Sequence, residues 1–132
     1  MDQDLELHHF SKRISKGTLE FVLEMFSQLN CKLFYRKGDS RWALVQPIEK
    51  DIKIQIIESD LEPLSTEKKK NSHIGFISSD PEKEIQKMKV WIENKNKKFV
   101  TGSWSDKEFY FDCPEVFVDF VIEIMNKSIL ND

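Results

Sequence analysis

The sequence predicts an α+β protein built from two tandem βαβββ modules. Runs of alternating apolar residues give way to helical spacing and then return, and this order occurs twice along the chain. His9 and His73 fall on the first strand of each pass, 64 residues apart. A repeated unit of about 60 residues fixes architecture more firmly than local propensity does. The expected limits are 1–60 for the first module, 61–71 for a linker and 72–132 for the second module.

The first module opens on LELHHFSKRI, residues 5–14, where Leu5, Leu7, His9, Ser11 and Arg13 alternate with His8, Phe10, Lys12 and Ile14, as in a strand. Gly17 breaks it and Thr18 offers an N-cap. Leu19, Val22, Phe26 and Leu29 then recur at helical spacing, and Asn30 tolerates the left-handed turn that ends helices. Residues 32–35, 41–46 and 52–57 are three apolar, β-rich runs separated by KGDS and PIEKD turns. The stretch DLEPLSTEKKKN has no periodicity and carries Lys68, Lys69 and Lys70, so it is expected to be a solvated linker.

The second pass begins with SHIGFISS as a strand. DPEKEIQKMKVWIEN follows as a helix, with Asp80 as its cap, Pro81 at the first helical position, and Ile85, Met88, Trp91 and Ile92 on its apolar face. KKFVTGSWS, KEFYFDC and FVDFVIEIM supply three further strands.

Composition narrows the function classes. Of 132 residues, 20 are Lys or Arg and 23 Asp or Glu, a net charge of −3 that lacks the basic excess nucleic-acid phosphates demand. A hydrophobic share of 39% with ten Phe and three Trp is enough for a packed core. No apolar run approaches the roughly 20 residues of a membrane span. The acidic start MDQDLEL is unlike a secretory signal, so a cytoplasmic location is expected and no membrane partner. Cys31 and Cys113 have no CxxC spacing and are expected to be reduced thiols. No GxSxG, P-loop, HExxH or GxGxxG pattern appears, which removes support for serine hydrolases, common nucleotide enzymes and zincins.

The spacing of polar residues within the repeat is more informative. Gln55 follows His9 by 46 residues, and Asp119 follows His73 by the same interval. If the copies are related by a pseudo-twofold axis, His9, Gln55, His73 and Asp119 converge. Two imidazoles, an amide oxygen and a carboxylate suit a divalent metal. Glu123 shares a strand face with Asp119 and is the other possible last-strand ligand. The competing reading makes the histidines polar residues on a half-exposed sheet. Trp42, Trp104 and Phe109 are candidates to line the substrate cup, against core packing as the alternative.

Short motifs in fixed order carry a family resemblance over nearly the whole chain. LHHF resembles an opening His-His-Val strand whose second histidine is a ligand. LNCKL resembles Leu-Gly-x-x-Leu at a helix exit, SHIGF a Gly-His-Ile-x-Phe strand, IQIIES an Ile-Glu-Leu run, and DCPEVFVDF an Asp-Pro-x-Gly turn ahead of the final ligand. Together they resemble the vicinal oxygen chelate superfamily, which includes glyoxalase I, extradiol dioxygenases and bleomycin-resistance proteins. The resemblance implies a mixed, curved sheet forming a cup with helices outside. It also implies a divalent ion (Ni, Zn, Fe, Mn or Mg) on His9, Gln55, His73 and Asp119, with Asp119 as the base. Arg13 resembles an arginine that contacts substrate carboxylate. The implied function is a glyoxalase-like lyase or isomerase acting on a small carbonyl or vicinal-oxygen substrate, in which the ion stabilises an enediolate, and a homodimer. The alternative is a non-catalytic small-molecule binder of the bleomycin-resistance type. Three departures bear on this: Gln55 and the shorter Asp119 stand where glyoxalase-type sites carry Glu, and DCPEVF lacks the turn glycine.

Overall fold

The computed structural model describes residues 4–131. It divides into two compact units, Met1–Asp60 and Leu61–Asp132, each with its own sheet.

The first unit runs β1 (His9–Ser15), α1 (Leu19–Gln28), β2 (Cys31–Tyr35), β3 (Trp42–Pro47) and β4 (Lys53–Ser59). Its four strands lie in the order β1-β4-β3-β2, with β1 parallel to β4 and the other pairs antiparallel. A parallel pair needs a crossover, and α1 begins the segment that provides it. Leu19, Val22, Met25 and Phe26 bury one stripe of α1 against Ala43, Val45, Ile54 and Ile56. Gly17 and Asn30 both take positive φ, 82° and 62°, where the chain enters and leaves the helix.

Two expectations are corrected here. The first strand begins at His9, not at Leu5. Leu5 and Leu7 are 89% and 78% exposed, because β4 starts at Lys53 and its amide, bonded to the His8 carbonyl, is the first rung. Thr18 does not cap α1 with its side chain. Its hydroxyl donates to the Ser15 carbonyl at 2.6 Å, and the Leu19 amide instead donates to Glu58 Oε2 at 3.0 Å.

The second unit repeats the pattern after a short helix. It comprises α2 (Thr66–Lys69), β5 (His73–Ser78), α3 (Pro81–Asn94), β6 (Val100–Ser105), β7 (Glu108–Asp112), β8 (Val121–Asn126) and a 3-10 turn, Lys127–Asn131. The sheet order is β5-β8-β7-β6, with β5 and β8 parallel. Asp80 caps α3 by accepting from the Lys83 amide, and Pro81 opens the helix as its sequence predicts. Ile85, Met88 and Ile92 bury against the sheet with Phe111, Phe117, Phe120 and Ile122, while Trp91 is half-exposed beneath the Lys95 ammonium. Both units therefore have the βαβββ order.

The lysine run is also corrected. Lys69 is 1% exposed, and its Nζ lies 3.0 Å from Asp112 Oδ1 and donates to the Phe117 carbonyl at 2.5 Å. An ammonium can be buried here because two oxygens receive it.

Candidate functional site

Strand register decides which side chains share a face. In the first unit His9 sits opposite Lys53, Ser11 opposite Gln55 and Arg13 opposite Ile57. Partners in a ladder project to the same side, so His9, Arg13, Lys53 and Gln55 are on one face. Trp42 is opposite Ile57 and joins them, its ring 5.9 Å from that of Tyr35. His9 is exposed, with Nδ1 3.0 Å from Nδ1 of His8. One ring must therefore donate to the other, since two lone pairs would repel. His8 precedes the strand and stands edge-on to Phe34, whose face also carries the Lys53 ammonium at 4.7 Å.

In the second unit His73 is opposite Val121, and Gly75, Glu123, Tyr110 and Gly102 follow one another across the sheet in a single row. His73 Nε2 lies 3.4 Å from Glu123 Oε1, and His73 Nδ1 lies 3.0 Å from the Lys70 carbonyl oxygen. A carbonyl only accepts, so Nδ1 carries the proton. Nε2 is left facing a carboxylate. Two lone-pair-bearing atoms at this distance require a positive charge, either a proton or a metal ion.

The wall beside this pair is aromatic. Trp104 packs 5.3 Å from the His73 ring and 4.8 Å from Tyr110. Two glycines make room for it. A Cβ at Gly75 would come within 2.9 Å of Glu123 Oε1, and a Cβ at Gly102 would collide with the Tyr110 ring, 2.6 Å from Cζ. Burial raises the Glu123 carboxyl above its ordinary range; His73 opposes the shift and Glu108 adds to it. Both cysteines are free and buried; burial pushes the Cys31 thiol up to about 11 and Cys113 higher, which suits inert packing groups.

Asp119 lies half-buried in a bend ahead of β8, not on the last strand. The matched 46-residue intervals do not mark matched strand positions. Lys53 is opposite His9 and Val121 opposite His73, so the counterpart of Gln55 is Glu123. Phe109 is opposite the buried Ile124 and points to the helix side; Tyr110 takes the place the sequence gives it. Tyr110, Glu123 and the Lys70 carbonyl were missed as a set. Glu123 stood in the sequence as the alternative to Asp119, and strand alternation puts Tyr110 on the face opposite to that of its neighbour Phe109.

The donor set of the second unit suits a divalent cation. Two ligands about 2.1 Å from one ion in tetrahedral geometry stand about 3.4 Å apart, and the Nε2–Oε1 separation is 3.4 Å. A ring nitrogen that donates to a backbone carbonyl is the outer-shell arrangement that fixes metal-binding histidines. Among the described residues, no group of three or more His, Cys, Asp or Glu side chains is assembled as a complete metal site. No helix of the described residues is long and apolar enough to cross a membrane.

Paired βαβββ units with this topology place the chain in the fold of the vicinal oxygen chelate superfamily. Three solved structures make the likeness specific. A Bacillus anthracis protein assigned to the glyoxalase family superposes with a TM-score of 0.56 at 12% identity, over 96% of this chain and 98% of that one. A Listeria monocytogenes fosfomycin resistance protein, FosX, solved as a mutant with Mn(II) and 1S,2S-dihydroxypropylphosphonic acid, gives 0.56 at 18% identity, over 94% and 93%. TnmS3, an antibiotic binding protein from a Streptomyces species, gives 0.54 at 12% identity, over 96% and 98%. No protein-family model and no curated protein matches the sequence.

Proposed function

We propose that this chain is a glyoxalase-type, metal-dependent lyase or isomerase acting on a small carbonyl or vicinal-oxygen substrate. The observation that carries the reading is the His73–Glu123 pair: Nδ1 is committed to the Lys70 carbonyl, and Nε2 faces a carboxylate across 3.4 Å. His73 and Glu123 would be two of the ion's ligands. A structurally similar fosfomycin resistance protein binds Mn(II), which supports a divalent ion on this fold.

When bound, the ion supplies Lewis-acid polarisation of a substrate oxygen. The protein does the rest. The Lys70 carbonyl fixes the His73 ring, and the tilted rings of Trp104 and Tyr110 form an aromatic wall that shields it from water on that side. Glu123, the carboxylate facing His73, takes in this reading the base role that the resemblance gives to Asp119, abstracting a proton from carbon next to a carbonyl. Returning that proton to the neighbouring carbon completes an isomerisation.

The test has two arms. Purified protein should bind one Mn(II) by titration, and His73→Ala and Glu123→Gln should each weaken binding by about 10–100-fold. In D2O, the metal-loaded protein should wash deuterium into α-hydroxyketones, read as loss of the C–H proton resonance, and EDTA should stop it. Exchange that is indifferent to chelation, or no stoichiometric Mn(II), overturns the proposal.

A second reading has its own support. Gln55 stands where the register puts the counterpart of Glu123, which leaves the first unit without a carboxylate at that position. With the aromatic wall, this suits a metal-free binder of planar small molecules, and TnmS3, an antibiotic binding protein, has this fold. Ligand retention in EDTA without turnover would favour it.

A further inference from the structure

The geometry points to Lys69 as a positioning residue that aims His73 through the backbone, an inference that rests on the His73–Glu123 reading above. α2 is a single turn, too short to hold its own orientation by helix propagation. It is fixed instead by polar contacts to the end of β7 and to the connection that follows it. Lys69 Nζ reaches Asp112 Oδ1 at 3.0 Å and the Phe117 carbonyl at 2.5 Å, and Thr66 Oγ1 donates to Asp112 Oδ2 at 2.5 Å. Both side chains of the Lys69–Asp112 pair are fully buried.

The chain between this anchor and the histidine is short and bonded throughout. The Lys70 amide donates to the Thr66 carbonyl, the Ser72 amide to the Lys69 carbonyl, and the Val121 amide to the Ser72 carbonyl. The Lys70 carbonyl is thereby left pointing at His73 Nδ1, 3.0 Å away. A buried ion pair is a poor source of net stability compared with an apolar pair of the same volume. Its advantage here is direction: two hydrogen bonds and one ion pair fix the roll of one helical turn, where methyl groups would allow it to rotate. The lock thus selects the tautomer that turns the Nε2 lone pair toward Glu123.

The full-length protein without metal tests this. At a pH high enough for the His73 ring to be neutral, long-range proton–nitrogen NMR should show it as a single Nδ1–H tautomer. In the double variant Lys69→Met/Asp112→Leu, which leaves no unpaired buried charge, the fold should persist by circular dichroism, while His73 becomes a mixture of tautomers. Mn(II) affinity should fall by about 10-fold, the low end for an outer-shell partner. Thr66→Val, which removes one of the three contacts, should give the same tautomer mixing to a lesser degree and serves if the double variant does not fold. A folded variant that keeps the single Nδ1–H tautomer overturns the inference. Tautomer loss in the variant, together with no Mn(II) binding by the parent protein, would sink the metal proposal and leave the positioning role standing.

Discussion

Glu58 shows how one side chain from the last strand of a module finishes the helix at its start. Its Oε2 accepts from the Leu19 amide at the N-terminus of α1, and its Oε1 receives Arg41 Nε at 2.9 Å. Burial by itself would raise this carboxyl; the Gly17 and Leu19 amides and the Arg41 guanidinium outweigh it and hold the group below its ordinary 4.5. A carboxyl depressed in the folded state contributes stability above its unfolded pKa and loses it as pH falls through the folded value. Glu58→Ala should therefore cost about 1–2 kcal/mol at pH 7, the range of a lost helix cap. The gap between variant and parent in urea unfolding should narrow below pH 4.5. A gap independent of pH would mean the charge is not what caps α1. Nothing in the sequence singles out Glu58, because it lies 39 residues beyond the amide it serves. Thr18, the local candidate, was the one that pattern could find.

At the scale of elements, the period of the apolar residues identifies what packs and misses what is held by polar bonds. α1 and α3 were readable because Leu19, Val22 and Phe26, and Ile85, Met88 and Ile92, recur every three or four residues and are buried as that spacing requires. α2 was not, since Thr66 and Lys69 are tied to the sheet by Asp112, 46 and 43 residues away. The matched intervals placed Asp119 on the last strand, when it lies ahead of it, for a related reason. Equal intervals imply equal loops, but residues 113–120 between β7 and β8 are a longer connection than 48–52 between β3 and β4. The β6–β7 pair carries the next expectation. Gly102 lies beneath the Tyr110 ring, so Gly102→Ala forces backbone or ring to move and should destabilise by about 1–3 kcal/mol, as overpacking does. It should also shift the emission of Trp104, whose ring packs 4.8 Å from that of Tyr110. Gly75→Ala meets only the tip of Glu123 and should cost less. Equal losses for the two variants would show that Tyr110 does not need the space over Gly102.

For the molecule as a whole, the two units raise the question of whether they melt as one. Each has a complete four-stranded sheet covered by its own helix: α1 packs on β2, β3 and β4, and α3 on β5, β7 and β8. The aromatic anchors are likewise separate, Phe26 in the first unit and Phe117, stacked on Phe120 at 4.4 Å, in the second. Units of this size are near the lower limit for independent stability, so each core has little to spare. We expect local stability to follow these boundaries. Phe26→Ala and Phe117→Ala should each cost about 3–5 kcal/mol. In native-state hydrogen exchange the first should expose the amides of β1 to β4 while sparing β5, β7 and β8, and the second should do the reverse. This outcome would support the limits expected from the repeat, since a duplicated unit that retains its own core responds to damage on its own. Uniform loss of protection over all eight strands in both variants would instead make the pair a single cooperative fold, and the duplicated sequence pattern would then record ancestry rather than present-day energetic boundaries.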